Sequence, residues 1–504
     1  MPRVPIEIPP GLNSDDTSNA AAGGWADGSN IRWRNGRWQT IGGWESLMAA
    51  TLGGVCRTAF PWTDNSGQMN VAFGTNATLE LWVGGELFDI TPVGLAVGAV
   101  DGAGSAGYGT GAYGVGAYGE PSITDYFART WSLANYGESL FANPRGAGIY
   151  WWENDTGTPA AILTNAPTEV TYMLVNEQRQ VMAFGCNEEI SLAFNGLVIR
   201  FSDIENPDVW ATLPDNNAGE VVLTGGGRIV AARAAGQYLF VWTDAALYLG
   251  TFVGNPDQTW RFDKVGEHCG LIGPNAAVVV GQTAYWLSPA GQFHGCVVGG
   301  APQDLPCPVR TDFFEHLAAS QSDKIVASSC AAFSEIRFDY PDERDGFENS
   351  RYITFNLKEG AWSRGLMARS AYVDAGPAVS PLGVAPDSHV YWHERGNSAD
   401  GLPITGFIES ADQYLSDNRR QMMVRDIEPD FQDQVGALSV TLYTRDYPQS
   451  DAETYGPYQL SPGDDYMDFR AEGRLARVRF AFSSSPCFAR MGRPSFDIVG
   501  TGQR

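Results

Sequence analysis

Apolar and polar positions along this chain fall into short runs rather than long helical stripes. They are clearest between Arg228 and Gly300, where Ile229–Ala234 stops at Gly236-Gln237, Tyr238–Trp242 at Thr243-Asp244, and Leu247–Val253 at Gly254. The pattern then repeats: Ala276–Val280 meets Gly281-Gln282, Thr283–Leu287 meets Pro289-Ala290-Gly291, and Phe293–Val298 ends at Gly299. Runs of β-branched and aromatic residues bounded by Gly, Pro and Asp read as strands joined by tight turns. The two Gly-Gln turns stand 45 residues apart, the repeat length of a four-stranded propeller blade, although a simple antiparallel meander has the same local pattern.

Similar units lie on both sides. Residues 57–92, 131–154 and 171–203 precede the central pair, and residues 330–365 and 370–396 follow it. The fold class they predict is all-β, with a propeller of about seven blades over residues 25–400. One short helix is expected at Val309–Leu317. After Gly396 the texture changes: Phe407–Tyr414, Met422–Glu428, Leu438–Thr444 and Leu475–Ala481 alternate apolar with polar residues. Such alternation fits an antiparallel sandwich over 401–504, with Val478 and Phe480 inward and Arg477 and Arg479 on the wet face.

The start of the chain has two textures. Residues 1–24 are Pro-rich and then polar, an extended arm that either frays or lies along a neighbouring subunit. Next come Trp25, Trp33, Trp38 and Trp44, with Asn35-Gly36 marking a hairpin. The adjacent Arg32, Arg34 and Arg37 are expected to neutralise nearby carboxylates or stack on the tryptophans. Residues 97–121 form a Gly-rich insertion bearing Tyr108, Tyr113 and Tyr118. So much glycine is costly to order. The insertion is a linker, or a tyrosine-bearing loop that acts as a gate or partner contact.

Composition narrows the functional classes. At 504 residues, 43% hydrophobic, the chain can bury a large core in two or three domains. Its formal charge of −25 opposes tight binding of polyphosphate, which depends on Lys and Arg. That charge reads either as solubility or as a surface past which DNA slides without sticking. Arg470, Arg474, Arg477 and Arg479 are opposite in sign to the rest of the chain. They are candidate subunit-interface arginines, with internal neutralisation as the alternative. The seven cysteines include no C-x-x-C pair and read as reduced and mostly buried. No signal-peptide core and no membrane-length apolar run is present, so a soluble protein without its own export signal is expected.

Catalytic and metal signals are weak. His389 and His393 lie in one presumed strand but lack a third ligand. His268 reads as packing or turn. Gly225-Gly226-Gly227 precedes a strand, not the helix N-terminus that binds phosphate. Asp203, Glu205 and Asp208 lack the spacing of a known calcium loop, and Asp464, Asp465 and Asp468 are discounted in the same way. No catalytic residue, metal ligand or cofactor is expected, although an axial carboxylate pair like that of propeller glycosidases stays open.

Together the motifs resemble one bacteriophage family, the tail nozzle or hub proteins of short-tailed phages, also called packaged-DNA stabilisation proteins. The resemblance rests on W-A-D-G-S-N-I-R-W-R-N-G-R-W, the Gly/Tyr repeat before R-T-W-S-L-A-N-Y-G-E-S-L, I-R-F-S-D-I-E-N-P-D-V-W, V-W-T-D-A-A-L-Y-L, C-G-L-I-G-P-N-A-A-V-V-V and R-x-E-G-R-L-A-R-V-R-F, in that order. They span Trp25 to about Arg493. The resemblance implies a propeller-containing structural subunit of the virion tail, made and assembled in host cytoplasm. Six copies would form a ring below the portal and tail adaptor. The ring would enclose a channel that double-stranded DNA traverses without specific binding. Fiber, needle or spike proteins would be further partners, and no catalytic residues carry over. The alternative is a propeller glycan hydrolase or glycan-binding module acting on the host surface.

Overall fold

The computed structural model describes residues 3–5, 7–102, 127–255, 258–416 and 419–501. Among them, seven four-stranded antiparallel sheets follow one another as blades, six of them built from consecutive strands. Their first strands are Cys56–Thr63, Trp131–Tyr136, Val170–Val175, Ile229–Ala235, Ala277–Val280, Val326–Cys330 and Ala371–Val373. Each packs beside the first strand of the next blade, and the last packs beside the first, so the array closes around an axis. The protein is therefore all-β: a seven-bladed propeller plus a C-terminal antiparallel sandwich.

The second strand of each blade explains why the sequence reads as short apolar runs. Val181–Asn187 and Glu335–Pro341 are buried along almost their whole length. A strand covered on both faces cannot alternate, so its pattern is a continuous apolar run. The echoing turns behave alike: Gly236 (φ 62°) and Gly281 (φ 63°) begin two-residue hairpin turns closed by the pairs Ala235↔Tyr238 and Val280↔Thr283. A left-handed first turn position suits glycine and matches strand twist. Blades 1 and 2 meet at Gly74, where an added Cβ would lie 2.4 Å from the Trp131 ring, and the Trp131 indole N–H donates to the Thr75 carbonyl at 2.7 Å. The expected helix is a single turn and a half, Arg310–Glu315.

The seventh blade is completed from the start of the chain. Its outer strand is Trp44–Ser46, paired antiparallel to Val390–His393. The tryptophan-rich stretch before it does not belong to the propeller, and this corrects the expected boundary at residue 25. Trp25–Ser29 pairs with Gly406–Ser410, and the Asn35-Gly36 hairpin (Ile31–Arg34, Arg37–Thr40) joins Phe488–Met491 through Gln39↔Arg490. The physical reason is burial. Trp25, Trp33 and Trp38 are fully buried among sandwich and propeller residues, with Trp38 5.9 Å from both Phe431 and Phe480. Burying one such ring is worth about 1.5–3 kcal/mol. The arm is not frayed over its described length: Val4–Pro5 pairs with Ser495 and Phe496, and the buried Leu12 donates its N–H to the Trp362 carbonyl. The sandwich thus takes strands from both ends of the chain: Val4–Pro5, Trp25–Ser29, Ile31–Arg34 and Arg37–Thr40 join the strands that lie between Gly406 and Gly500.

Candidate assembly surface

The sandwich strand Leu475–Phe482 alternates as its sequence requires, burying Val478 and Phe480 and turning Arg477 and Arg479 outward. Both outward guanidiniums reach Glu409, at 3.3 and 3.1 Å. Arg479 also lies 3.6 Å above the Phe407 ring, and Arg477 4.6 Å above Tyr443. Two of the four candidate arginines therefore share one carboxylate within the chain, and the other two have none among the described residues. Arg470 sits exposed at φ 55°, beside a register shift in the strand pairing, the kind of bulge that re-aims a side chain. Arg474 lies 5.0 Å over Tyr447, itself 58% exposed.

Two more arginines extend this face. The Leu415 N–H donates to the Arg474 carbonyl, which brings in the following turn with Arg419, 4.6 Å over Tyr414, and the exposed Arg420. Arg470, Arg474, Arg419 and Arg420 have no carboxylate within ion-pair distance among the described residues. Arg445 is pushed below its usual range by burial and by repulsion from Arg477, and it pairs with Asp412. The Nε atoms of Arg445, Arg474 and Arg477 are buried without a described acceptor. In a chain with 58 acidic and 33 basic residues, these cations outside any described ion pair, two of them (Arg419 and Arg474) stacked on tyrosines, run against the average charge.

The candidate loop residues Tyr108, Tyr113 and Tyr118 lie outside the described residues. The flanks of the insertion are tightly held. Asp101 meets the fully buried Lys324 at 2.6 Å, Lys324 meets Glu348 at 2.9 Å, and Glu348 takes two bonds from the equally buried Arg57 at 2.5 and 2.7 Å. Gly102 and Gln321 exchange two 2.9 Å bonds. Burial would raise the Glu348 carboxyl, but hydrogen bonding and charge from Arg57 and Lys324 hold it below its ordinary range. On the other flank, Phe127 lies under Arg145 at 3.9 Å and Arg228 at 4.6 Å, and Arg145 pairs with Asp323. These partners come from blades 1, 2, 4 and 6 or their entry loops. In a seven-bladed ring such residues meet only near the axis, so the flanks cross one axial mouth.

Below that mouth the inner strands enclose a cavity of about 370 Å³ lined by Thr58, Arg233, Asn275, Ser328 and Asp374 among others. Arg233 is spent on the carbonyls of Ala232, Pro274 and Ala277 and on the Tyr172 hydroxyl. Asp374, the one carboxylate of the lining among the described residues, accepts from Ser329 and the Ala331 amide.

The remaining candidates disperse into structural roles. His393 is buried, accepts from Arg369 Nε at 2.8 Å, and is pushed well below its usual range by burial and neighbouring arginines, whereas His389 precedes the strand and meets Asp387. Asp203 accepts the Asn217 amide, Glu205 sits 4.0 Å from Arg179, and Gly227 donates to Asp244. Asp464 accepts the Ser461 amide. Among the described residues no three His, Cys, Asp or Glu cluster for a metal. All seven cysteines are free, and burial raises Cys56, Cys186, Cys307 and Cys330 to about 12, too high for ready thiolate chemistry.

Sequence reasoning missed the junction that locks the domains. Arg32 points inward, 2.6 Å from Glu394 and 3.4 Å from Glu335, with its guanidinium 3.7 Å over Phe333. Its carboxylates lie some 300 residues away in sequence, so the expectation of nearby partners fails. The available signal was a charged residue between Ile31 and Trp33 in a short strand.

No protein-family model matches this chain, and no curated protein matches it. Among solved structures it is similar to BBS1N in complex with ARL6DN (11% identity, TM-score 0.41, covering 70% of this chain and 97% of that one). It is also similar to a chain of the Mitotic Checkpoint Complex (9% identity, TM-score 0.40, 68% and 93% covered) and to the computationally designed Ika8 protein (14% identity, TM-score 0.38, 69% and 99% covered).

Proposed function

We propose that this chain is a structural subunit of a short-tailed phage tail, a nozzle or hub protein that assembles into a ring, with six copies around a DNA exit channel. In that setting it helps retain the packaged genome and then release it, sits below the tail adaptor, and performs no catalysis. The observation that carries the reading is the segregation of charge. A strongly acidic chain concentrates unpaired arginines on one face of its sandwich, and such a face fits an acidic surface of the next copy. Unlike patches on one subunit make head-to-tail contacts, and these close into rings when the rotation per copy allows. The acidic surplus then serves the channel: a wall that repels phosphate does not trap DNA in transit. The resemblance of its ordered motifs to those of nozzle proteins supports the same reading.

The experiment is electron microscopy and light scattering of the purified chain, alone and with the tail adaptor of its phage. The expected result is closed sixfold rings that dissociate at high salt, since surface charge pairing is screened. A chain that stays monomeric under both conditions and never enters tails in reconstitution overturns the proposal.

A further inference from the structure

Blade 3 carries an apolar tip that nothing among the described residues covers. Its second and third strands, Val181–Asn187 and Phe194–Phe201, are joined by a short connection in which Ile190 is 96% exposed and Leu192 70%, and Phe194, which opens the third strand, is 44% exposed. Leu192 holds φ 58°, a left-handed conformation that is costly for a bulky side chain. This tip is not slack. Glu188 accepts from the Ser191 hydroxyl at 2.6 Å and Asn195 at 2.8 Å, and the Leu192 and Ala193 amides are both hydrogen-bonded within the turn. Glu189 accepts twice from Thr212, at 2.8 and 2.7 Å, and its own amide donates to Glu220 at 2.6 Å. That strap draws in the neighbouring loop, where Leu213 is half exposed. Several apolar side chains are therefore held rigidly in water, the arrangement of a pre-ordered docking knob.

The rim of this knob selects its partner. Glu188, Glu189, Glu220 and Asp215 surround it, and none has an ion-pair partner among the described residues. An acidic collar around an apolar tip calls for a receptor that is aromatic at its centre and cationic at its edge. The sandwich offers such groups: Arg474 lies over the exposed Tyr447 and Arg419 over Tyr414, and Arg420 and Arg470 are exposed. We infer that the blade 3 tip of one copy docks on the arginine–tyrosine face of the next, forming the two unlike halves of a head-to-tail interface. This rests on the ring reading and names the partner of the arginine face.

The test uses the full chain with the photo-cross-linker p-benzoylphenylalanine at Ile190, and mass spectrometry to map the products. Cross-links between two copies should map to residues 414–479. In parallel, the exposed pair Ile190→Ser and Leu192→Ser should raise the concentration needed for assembly at least tenfold while leaving the thermal unfolding curve unchanged. Arg474→Glu should do the same, and adding Asp215→Arg should restore assembly. Rings that persist unchanged in these variants, with cross-links mapping elsewhere, overturn this interface and leave the ring standing. A wild-type chain that makes no ring even with its adaptor overturns both.

Discussion

Replacing Arg32 with leucine removes a buried cation that ties the hairpin of the sandwich to blades 6 and 7. The wild-type side chain makes two bonds to Glu394, at 2.8 and 2.6 Å, and a 3.4 Å ion contact with Glu335. Leucine fills much of the volume but leaves Glu335, 5% exposed, without its counter-ion. Breaking a buried pair from one side costs about 3–5 kcal/mol. Burial already raises the Glu335 carboxyl, with Arg32 as the main opposing influence, so removing Arg32 raises it further. The sign follows: a carboxyl whose folded pKa lies above its unfolded value destabilises at high pH, and that penalty fades as pH falls through the folded value. Arg32→Leu should therefore lose about 3–5 kcal/mol at pH 8 and recover part of it toward pH 5. Denaturant unfolding followed by tryptophan fluorescence reads this directly, because Trp33 and Trp38 are fully buried beside the junction. A double-mutant cycle with Glu394→Gln should give a coupling of about 1.5–3 kcal/mol, the range for hydrogen bonds to charged groups. A loss under 1 kcal/mol that does not change with pH would refute the view that this pair locks the domains together.

Three further outcomes are expected. Lys324→Met should strip the buried contact from Asp101 and Glu348, and amide exchange of residues 98–102 should quicken at least tenfold by mass spectrometry. In the wild-type chain the same anchorage should persist above the ordinary carboxylate range, where Glu348 is charged, and be lost as pH falls below that range through its lowered folded pKa. Gly74→Ala should lower the melting temperature by several degrees, because the added carbon meets the Trp131 ring at 2.4 Å and overpacking costs about 1–3 kcal/mol.

The blades were legible because propeller strands are short, and their apolar runs and glycine turns are set by residues close in sequence. Gly236 and Gly281 show this best, since each does the same job at the same place in its blade. The sandwich was legible only in part: Met422–Glu428 begins and ends where its alternation does, whereas Phe431–Val435, Glu453–Leu460, Met467–Gly473, Phe488–Met491 and Ser495–Gly500 were not foreseen. The domain boundary was not. The hairpin around Asn35-Gly36 declares its own turn but not its partners, which lie more than 390 residues further on at Phe431–Val435 and Phe488–Met491. For the same reason the arginine cluster was visible as composition, whereas its division was not: Arg477 and Arg479 share Glu409, and Arg470 and Arg474 have no ion-pair partner among the described residues. The blade 3 tip escaped notice because E-E-I-S-L-A-F reads as an ordinary mixed turn. Its exposure and its left-handed Leu192 are properties of the folded backbone alone.

The strand Trp44–Ser46 that completes blade 7 must wait for Val390–His393 before it has anything to pair with. At translation speeds of about 5–20 residues per second, that wait is on the order of 20 to 70 s. Throughout it the newly made tryptophan-rich segment stays outside a finished sheet, sticky and open to wrong neighbours. A nascent polypeptide with this topology therefore depends on being shielded until its later portions emerge, and production in a host with depleted chaperones should yield aggregate first and soluble product only in part.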